Sequence, residues 1–153
     1  MPKAVSRGIR NNNPGNIRWS ADNWLGLVLK KDRTDKDFCQ FTNAKWGIRA
    51  LGIVLLNYSK KKGMVGVGNP GIDTVKEIIS RWAPPNENNT QAYINGVCKA
   101  CNVKESESVD LWNKPFLASL IAAIITHENG SQPYAMSLIL QGVSEATFAI
   151  KKG

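Results

Sequence analysis

Apolar residues at positions 117, 120, 121, 124 and 125 recur at three- and four-residue spacing, so Leu117, Leu120, Ile121, Ile124 and Ile125 form one face of a helix over 116–130. Gly130 is its stop signal. The same periodicity predicts a helix over 46–58, with Trp46, Ala50, Ile53, Val54 and Asn57 on one face and Leu51, Leu55 and Tyr58 beside it. A shorter helix ends at Trp82, with Val75, Ile78, Ile79 and Trp82 inward and Glu77 outward. Asp73 or Thr74 caps it, and Ala83-Pro84-Pro85 closes it. Asn89 or Thr90 then caps a helix over 91–101 that carries Tyr93 and Val97 four apart. Residues 133–150 read as a last helix or two, broken at Gly142.

The first forty residues follow a different pattern. Residues 7–19 are dense in turn formers, and the short runs 17–19, 25–29 and 37–41 suggest a small N-terminal β-hairpin. Residues 63–71 form a glycine-rich loop without the lysine of a phosphate-binding loop, and 105–110 is an acidic, serine-containing connector. The expected fold is a single mainly α domain over 1–153, with that hairpin and about five to seven helices.

Extending the 117–125 stripe by four residues from Ile124 lands on Glu128, a carboxylate where the pattern asks for a core residue. Partial burial and the negative end of the helix dipole would both raise its pKa. A proton held near neutral pH is what a general acid needs. The alternative is a solvated, frayed helix end.

The other acids sort by context. Asp32, Asp35 and Asp37 alternate with Lys and Arg; Glu105, Glu107 and Asp110 lie in the acidic connector; Asp22 is in a turn, Asp73 at a cap, and Glu77 and Glu145 are on helix surfaces. Glu87 remains. It either favours the positive end of the helix that follows it or is a second acid facing the same cleft. His127 adjoins Glu128 but points about 100° away on a helix, so the two form no relay. Nothing resembles a Ser-His-Asp arrangement.

Composition adds three constraints. The 153 residues carry a net charge of +8, which favours polyanions such as nucleic acid, anionic lipid or the acidic layers of a bacterial wall, and no base-reading motif accompanies it. The Lys60–Lys62 run itself reads as a solvated helix end. No apolar run is long enough to span a membrane, and the first ten residues lack a secretory signal, so delivery to an extracellular target would need another agent. Cys98 and Cys101 fall on neighbouring helical turns, Cys39 is distant, and there is one histidine; core-lining thiols fit better than a metal site. No cofactor is expected.

The segment Ile124-Ile125-Thr126-His127-Glu128-Asn129-Gly130 resembles the motif of lysozyme-like lytic transglycosylases, a glutamate ending an apolar helix before Ser or Asn and then Gly. The stretch from Pro85 to Ile94 is similar to their Glu-Thr-Arg-x-Tyr-Val segment, which aligns their active-site tyrosine with Tyr93. Asn12-Asn13-Pro14-Gly15-Asn16-Ile17-Arg18, with Trp24, Gly26, Phe38 and Phe41, is similar to a hairpin of bacterial cell-wall glucosaminidases. The whole chain looks like small phage virion lysins. The segments run in a permuted order, with the hairpin first and the glutamate last.

The resemblance implies a lysozyme-like domain that cuts the MurNAc–GlcNAc bond of peptidoglycan glycan strands. Glu128 would be general acid and base, with Tyr93 donating a hydrogen bond near the substrate and Glu87 as a second acid if the reaction is hydrolytic. Asn13, Asn16, Trp19, Trp24 and Asn129 would bind substrate. The protein would act as a monomer made in a host cytoplasm or carried in a virion, with its lysines drawn to the anionic envelope. The rivals are a peptide-bridge endopeptidase, a non-catalytic virion protein of the same fold, and a basic nucleic-acid-binding domain.

Overall fold

The structure is a computed structural model, and it describes residues 5–61, 67, 71–84 and 89–150. Glu87, Lys62 and most of the glycine-rich loop over 63–71 lie outside the described residues. The chain is mainly helical, with six α-helices among the described residues. They are α1 (Arg7–Arg10), α2 (Ala44–Tyr58), α3 (Val75–Trp82), α4 (Thr90–Cys101), α5 (Lys114–Asn129) and α6 (Met136–Ala149). No described helix is long and apolar enough to cross a membrane.

Local chemistry sets most of the boundaries. Of the two candidates before α3, Thr74 is the cap: its Oγ1 accepts from the Glu77 amide at 3.2 Å. Glu77 reaches back, its Oε1 accepting from the Asp73 amide at 3.2 Å and from the Thr74 hydroxyl at 3.0 Å. This reciprocal arrangement half-buries a glutamate that periodicity alone would face outward. Asn89 caps α4 and Asn113 caps α5, each through Oδ1. Pro115 falls in the first turn of α5, and Gly130 ends that helix at φ 72°, a left-handed conformation that glycine adopts without strain.

The predicted stripe of α5 is fully buried at Leu117, Leu120, Ile121, Ile124 and Ile125. It joins one hydrophobic cluster that also draws on α2, α3, α4 and α6. Helix α2 is buried more completely than one apolar face requires: Ile48, Leu51, Leu55 and Leu56 are all inaccessible, while Asn57, expected on its inward face, is exposed. The helix packs most extensively against α6.

Two expectations need correction. Helix α6 does not break at Gly142. A Cβ there would sit 2.5 Å from Ile48 Cγ2 of α2, so the glycine permits a close helix approach instead of interrupting the helix. The predicted β-hairpin is replaced by two isolated antiparallel bridges, Arg18 with Phe38 and Leu27 with Phe41. One extended stretch pairs briefly on both sides. The Cys39 amide donates to the Ile17 carbonyl at 2.8 Å, and the Val28 amide donates to the Gln40 carbonyl at 2.9 Å. Side chains hold what a ladder would otherwise hold. Cys39, Phe41 and Ala50 form a small second core against Trp19, Trp24, Leu27 and Trp46.

Candidate active site

The C-terminal turn of α5 and the first turn of α4 meet at Glu128 and Tyr93. Tyr93 is held by the core, with no exposed surface, and its hydroxyl donates to Glu128 Oε2 at 3.0 Å. The same hydroxyl accepts from Trp82 Nε1 at 3.1 Å. An indole N–H can only donate, so the bond directions run from Trp82 through Tyr93 to Glu128. Burial, and then the adjacent Glu128 charge, push the phenol far above its ordinary pKa, so it remains a donor. His127, next along α5, lays its ring on Tyr93 with centroids 3.6 Å apart and planes 21° from parallel. His127 is exposed, as a rim position predicts, yet it covers one face of the tyrosine.

Glu128 is half-buried and lines a cleft of about 480 Å³ with Gly15, Asn16, Ile17, Arg18, Phe38, Val54, Tyr58, Trp82 and Ala83. It is the only acid among the described residues lining that cleft. Glu128 Oε1 has no hydrogen-bond partner among the described residues. Asn12 and Asn16 adopt left-handed φ angles of 53° and 50°, which asparagine tolerates, and this brings the turn of 12–16 to the cleft wall.

Of the other candidates among the described residues, Asn16 alone lines the cleft with Glu128. Its Oδ1 is buried without a partner among the described residues. Asn13 is fully buried behind it, where Nδ2 donates to the carbonyls of Ile17 and Cys39 at 2.9 and 3.0 Å and Oδ1 accepts from the Ile17 amide at 3.0 Å. Asn129 Nδ2 donates to the carbonyls of Pro14 and Ile125, and its Oδ1 accepts from the Ser6 hydroxyl. Both N–H groups of each amide are thus committed within the protein, and each Oδ1 already accepts one bond there.

The tryptophans are also placed apart from Glu128. Trp19 Nε1 donates to the Asp35 carbonyl at 2.8 Å, and Arg33 stacks on its ring at 3.6 Å. Trp24 lines a different cavity, of about 580 Å³, with Leu25, Arg49, Ala149 and Ile150. Neither lines the cleft at Glu128.

Periodicity missed the cleft's aromatic wall of Trp82, Tyr58 and Phe38. Trp82 shows why: it packs against the core as predicted while presenting its edge to Tyr93. Its place at the last position of a helix, just ahead of two prolines, was the available signal. Among the described residues no three His, Cys, Asp or Glu side chains converge as a metal ion would require.

No family model matches the chain. Against curated proteins it is 35% identical over 142 residues to Protein P5 of Pseudoalteromonas phage PM2, an alignment spanning 90% of this chain and 80% of that protein. With that identity sustained over most of both proteins, the chain belongs to the family of Protein P5 of phage PM2.

Proposed function

We propose that this protein degrades peptidoglycan, cutting the MurNAc–GlcNAc glycosidic bond in the manner of a lytic transglycosylase, with Glu128 as general acid and then general base. The observation that carries the reading is the hydrogen-bonded series Trp82, Tyr93, Glu128, ending at a carboxylate on the wall of a ligand-sized cleft. With Oε2 accepting from Tyr93, the proton of the neutral acid belongs on Oε1, the oxygen with no partner among the described residues. Glu128 gives that proton to the glycosidic oxygen as the C–O bond breaks. The 6-hydroxyl of the muramyl residue attacks the anomeric carbon, and the Glu128 carboxylate takes the hydroxyl's proton. The products are an anhydro-muramyl end and a new free end, and no water is consumed.

One acid suffices for this sequence, whereas hydrolysis calls for a second. Glu128, the carboxylate in the described lining, is enough for transglycosylation, which is the reaction proposed. Tyr93 is assigned as a positioning residue, since its one proton is committed to Glu128. The lysozyme-like fold, with its segments in permuted order, belongs to the same proposal. A relative from a phage supports a virion-associated protein, made in the host and acting on its wall.

The test is Glu128→Gln on purified walls, with mass analysis of the products. Glutamine can still accept from Tyr93, so the fold should hold while lysis falls by about a hundredfold or more. Wild-type protein should release anhydro-muramyl ends. Reducing ends would redirect the proposal to hydrolysis, and free amino groups to an endopeptidase. A variant that lyses at the wild-type rate sinks it.

A further inference from the structure

One guanidinium group lines the cleft and a second packs on a residue of its wall, both without a carboxylate. Arg18 lines it, with Cζ 4.8 Å from the centroid of Phe38, which also lines it. Arg81 has Cζ 5.5 Å from the centroid of Tyr58, a further lining residue. Neither forms an ion pair among the described residues. Phe38 supplies the contrast. Arg7 lies 4.5 Å from the same ring, but Asp35 and Asp37 hold that guanidinium. One cation on this ring is neutralised from within the protein, and the other is left available.

An unpaired surface arginine is ordinary; an arginine laid against an aromatic ring at a cleft is oriented in advance, so less rotamer freedom is lost when its fork meets an anion. Here Arg18 in the lining and Arg81 against the lining Tyr58 accompany one carboxylate, Glu128, among the described lining residues. A glycan whose lactyl carboxyls are all held in amides, and which bears no stems, offers nothing for them to meet. A strand that carries carboxylates does, and planar bidentate pairing with carboxylate is what a guanidinium favours over an ammonium.

We propose that Arg18 and Arg81 are specificity residues that bind the carboxylates of the peptide stems, so the cleft prefers stem-bearing glycan strands to stripped ones. This rests on the peptidoglycan reading above and names the part of the polymer recognised. The two arginines act on binding and take no part in bond breaking.

The test uses the full chain with Glu128→Gln, so that strands are bound and not consumed. Its affinity is measured for soluble stem-bearing strands and for the same strands after amidase removal of the stems and conversion of the freed lactyl carboxylates to methylamides. The expected preference is about threefold per arginine and roughly tenfold for both, the scale of exposed ion pairs. It should shrink with added salt. Adding Arg18→Gln and Arg81→Gln should bring the ratio to about one, and Arg18→Lys with Arg81→Lys should keep part of it.

A parent ratio near one, or a ratio that survives the double glutamine change, overturns the proposal. So does tighter binding to duplex DNA than to stem-bearing strands, lost in that same double variant. Because binding is read in an inactive variant, the two claims separate. Strands cleaved without a stem preference retain the enzyme and remove this inference; a stem preference without cleavage does the reverse.

Discussion

The Tyr93 hydroxyl and Glu128 Oε2 lie 3.0 Å apart across 35 residues of sequence, joining the start of α4 to the end of α5. Each helix brings its partner for a separate reason. Tyr93 is on α4's buried face with Val97, and Glu128 is where the apolar stripe of α5 runs out into the cleft. Tyr93→Phe keeps the packing and deletes both hydrogen bonds. It should lower stability by about 2 kcal/mol, about 1 for each bond. It should slow wall lysis by roughly ten- to hundredfold, because Glu128 loses the donor that orients it. Trp82→Phe should act in the same direction and less strongly. Thermal melts and lysis rates on one purified wall preparation check both, and a Tyr93→Phe protein lysing at the wild-type rate refutes the orienting role.

Acid should loosen the N-terminal segment first. Arg7 donates to both oxygens of Asp35 at 2.6 Å, and Asp35 also accepts from the Asn11 side chain and from the amides of Asp37 and Phe38. The Arg7 pairing, with these further donors, holds the Asp35 carboxyl well below the ordinary carboxylate value of 3.8. A folded pKa below the unfolded one means stability that is fully present above the unfolded value and is lost as pH falls towards the folded one. The melting temperature should therefore drop from about pH 5 downward. Asp35→Asn should be less stable than wild type at pH 7 and show a shallower acid limb. Parallel acid limbs in the two proteins would remove Asp35 from the account.

Gly142→Ala tests the approach of α6 to α2. The added Cβ would meet Ile48 Cγ2 at 2.5 Å and the Lys45 carbonyl at 3.2 Å, and Ile48 is fully buried and cannot swing away. Alanine is the better helix former, so a site with open space would gain stability from this change. Overpacking should win here, with a loss of about 1–3 kcal/mol in denaturant unfolding. Gly96→Ala, in α4 with nothing near its Cβ, is the control and should be neutral or stabilising. A stabilised Gly142→Ala protein would mean that the helices are not in close contact there.

These residues also mark where sequence reasoning reaches its limit. Helices declare themselves locally, through apolar spacing and through caps such as Asn89, Asn113 and Gly130, and those features are contiguous in the chain. Gly142 is locally ambiguous, because a glycine that breaks a helix and one that admits a neighbour look alike until the neighbour is known. The Asn-rich turn was legible as a turn. Its dependence on Asn13 bridging Ile17 and Cys39 was not, since Cys39 lies 26 residues away. Glu128 stood out because it breaks a pattern. Trp82, Tyr58 and Phe38 satisfied or ignored patterns, so nothing local distinguished a cleft wall from a core, and Trp19 and Trp24 drew attention by residue type alone.

Asn129 gives the sharpest separation between holding the cleft and acting in it. Its side chain ties the end of α5 to Pro14 at 2.8 Å and to Ser6 at 2.7 Å, so the turn that carries Gly15 and Asn16 is fastened one residue beyond Glu128. Asn129→Ala removes the donor to two carbonyls and the acceptor for a hydroxyl, and should cost about 1–3 kcal/mol in unfolding. Asn129→Asp should cost more, because it turns a carboxylate oxygen towards the Pro14 and Ile125 carbonyls that the amide now satisfies. Lysis by Asn129→Ala should weaken chiefly through KM, as one wall of the cleft loosens while Glu128 keeps Tyr93. Glu128→Gln should show the opposite pairing, an unchanged melt with lysis lost. If Asn129→Ala instead melts with the wild type and loses only substrate affinity, its side chain serves the ligand and the structural role assigned to it is wrong.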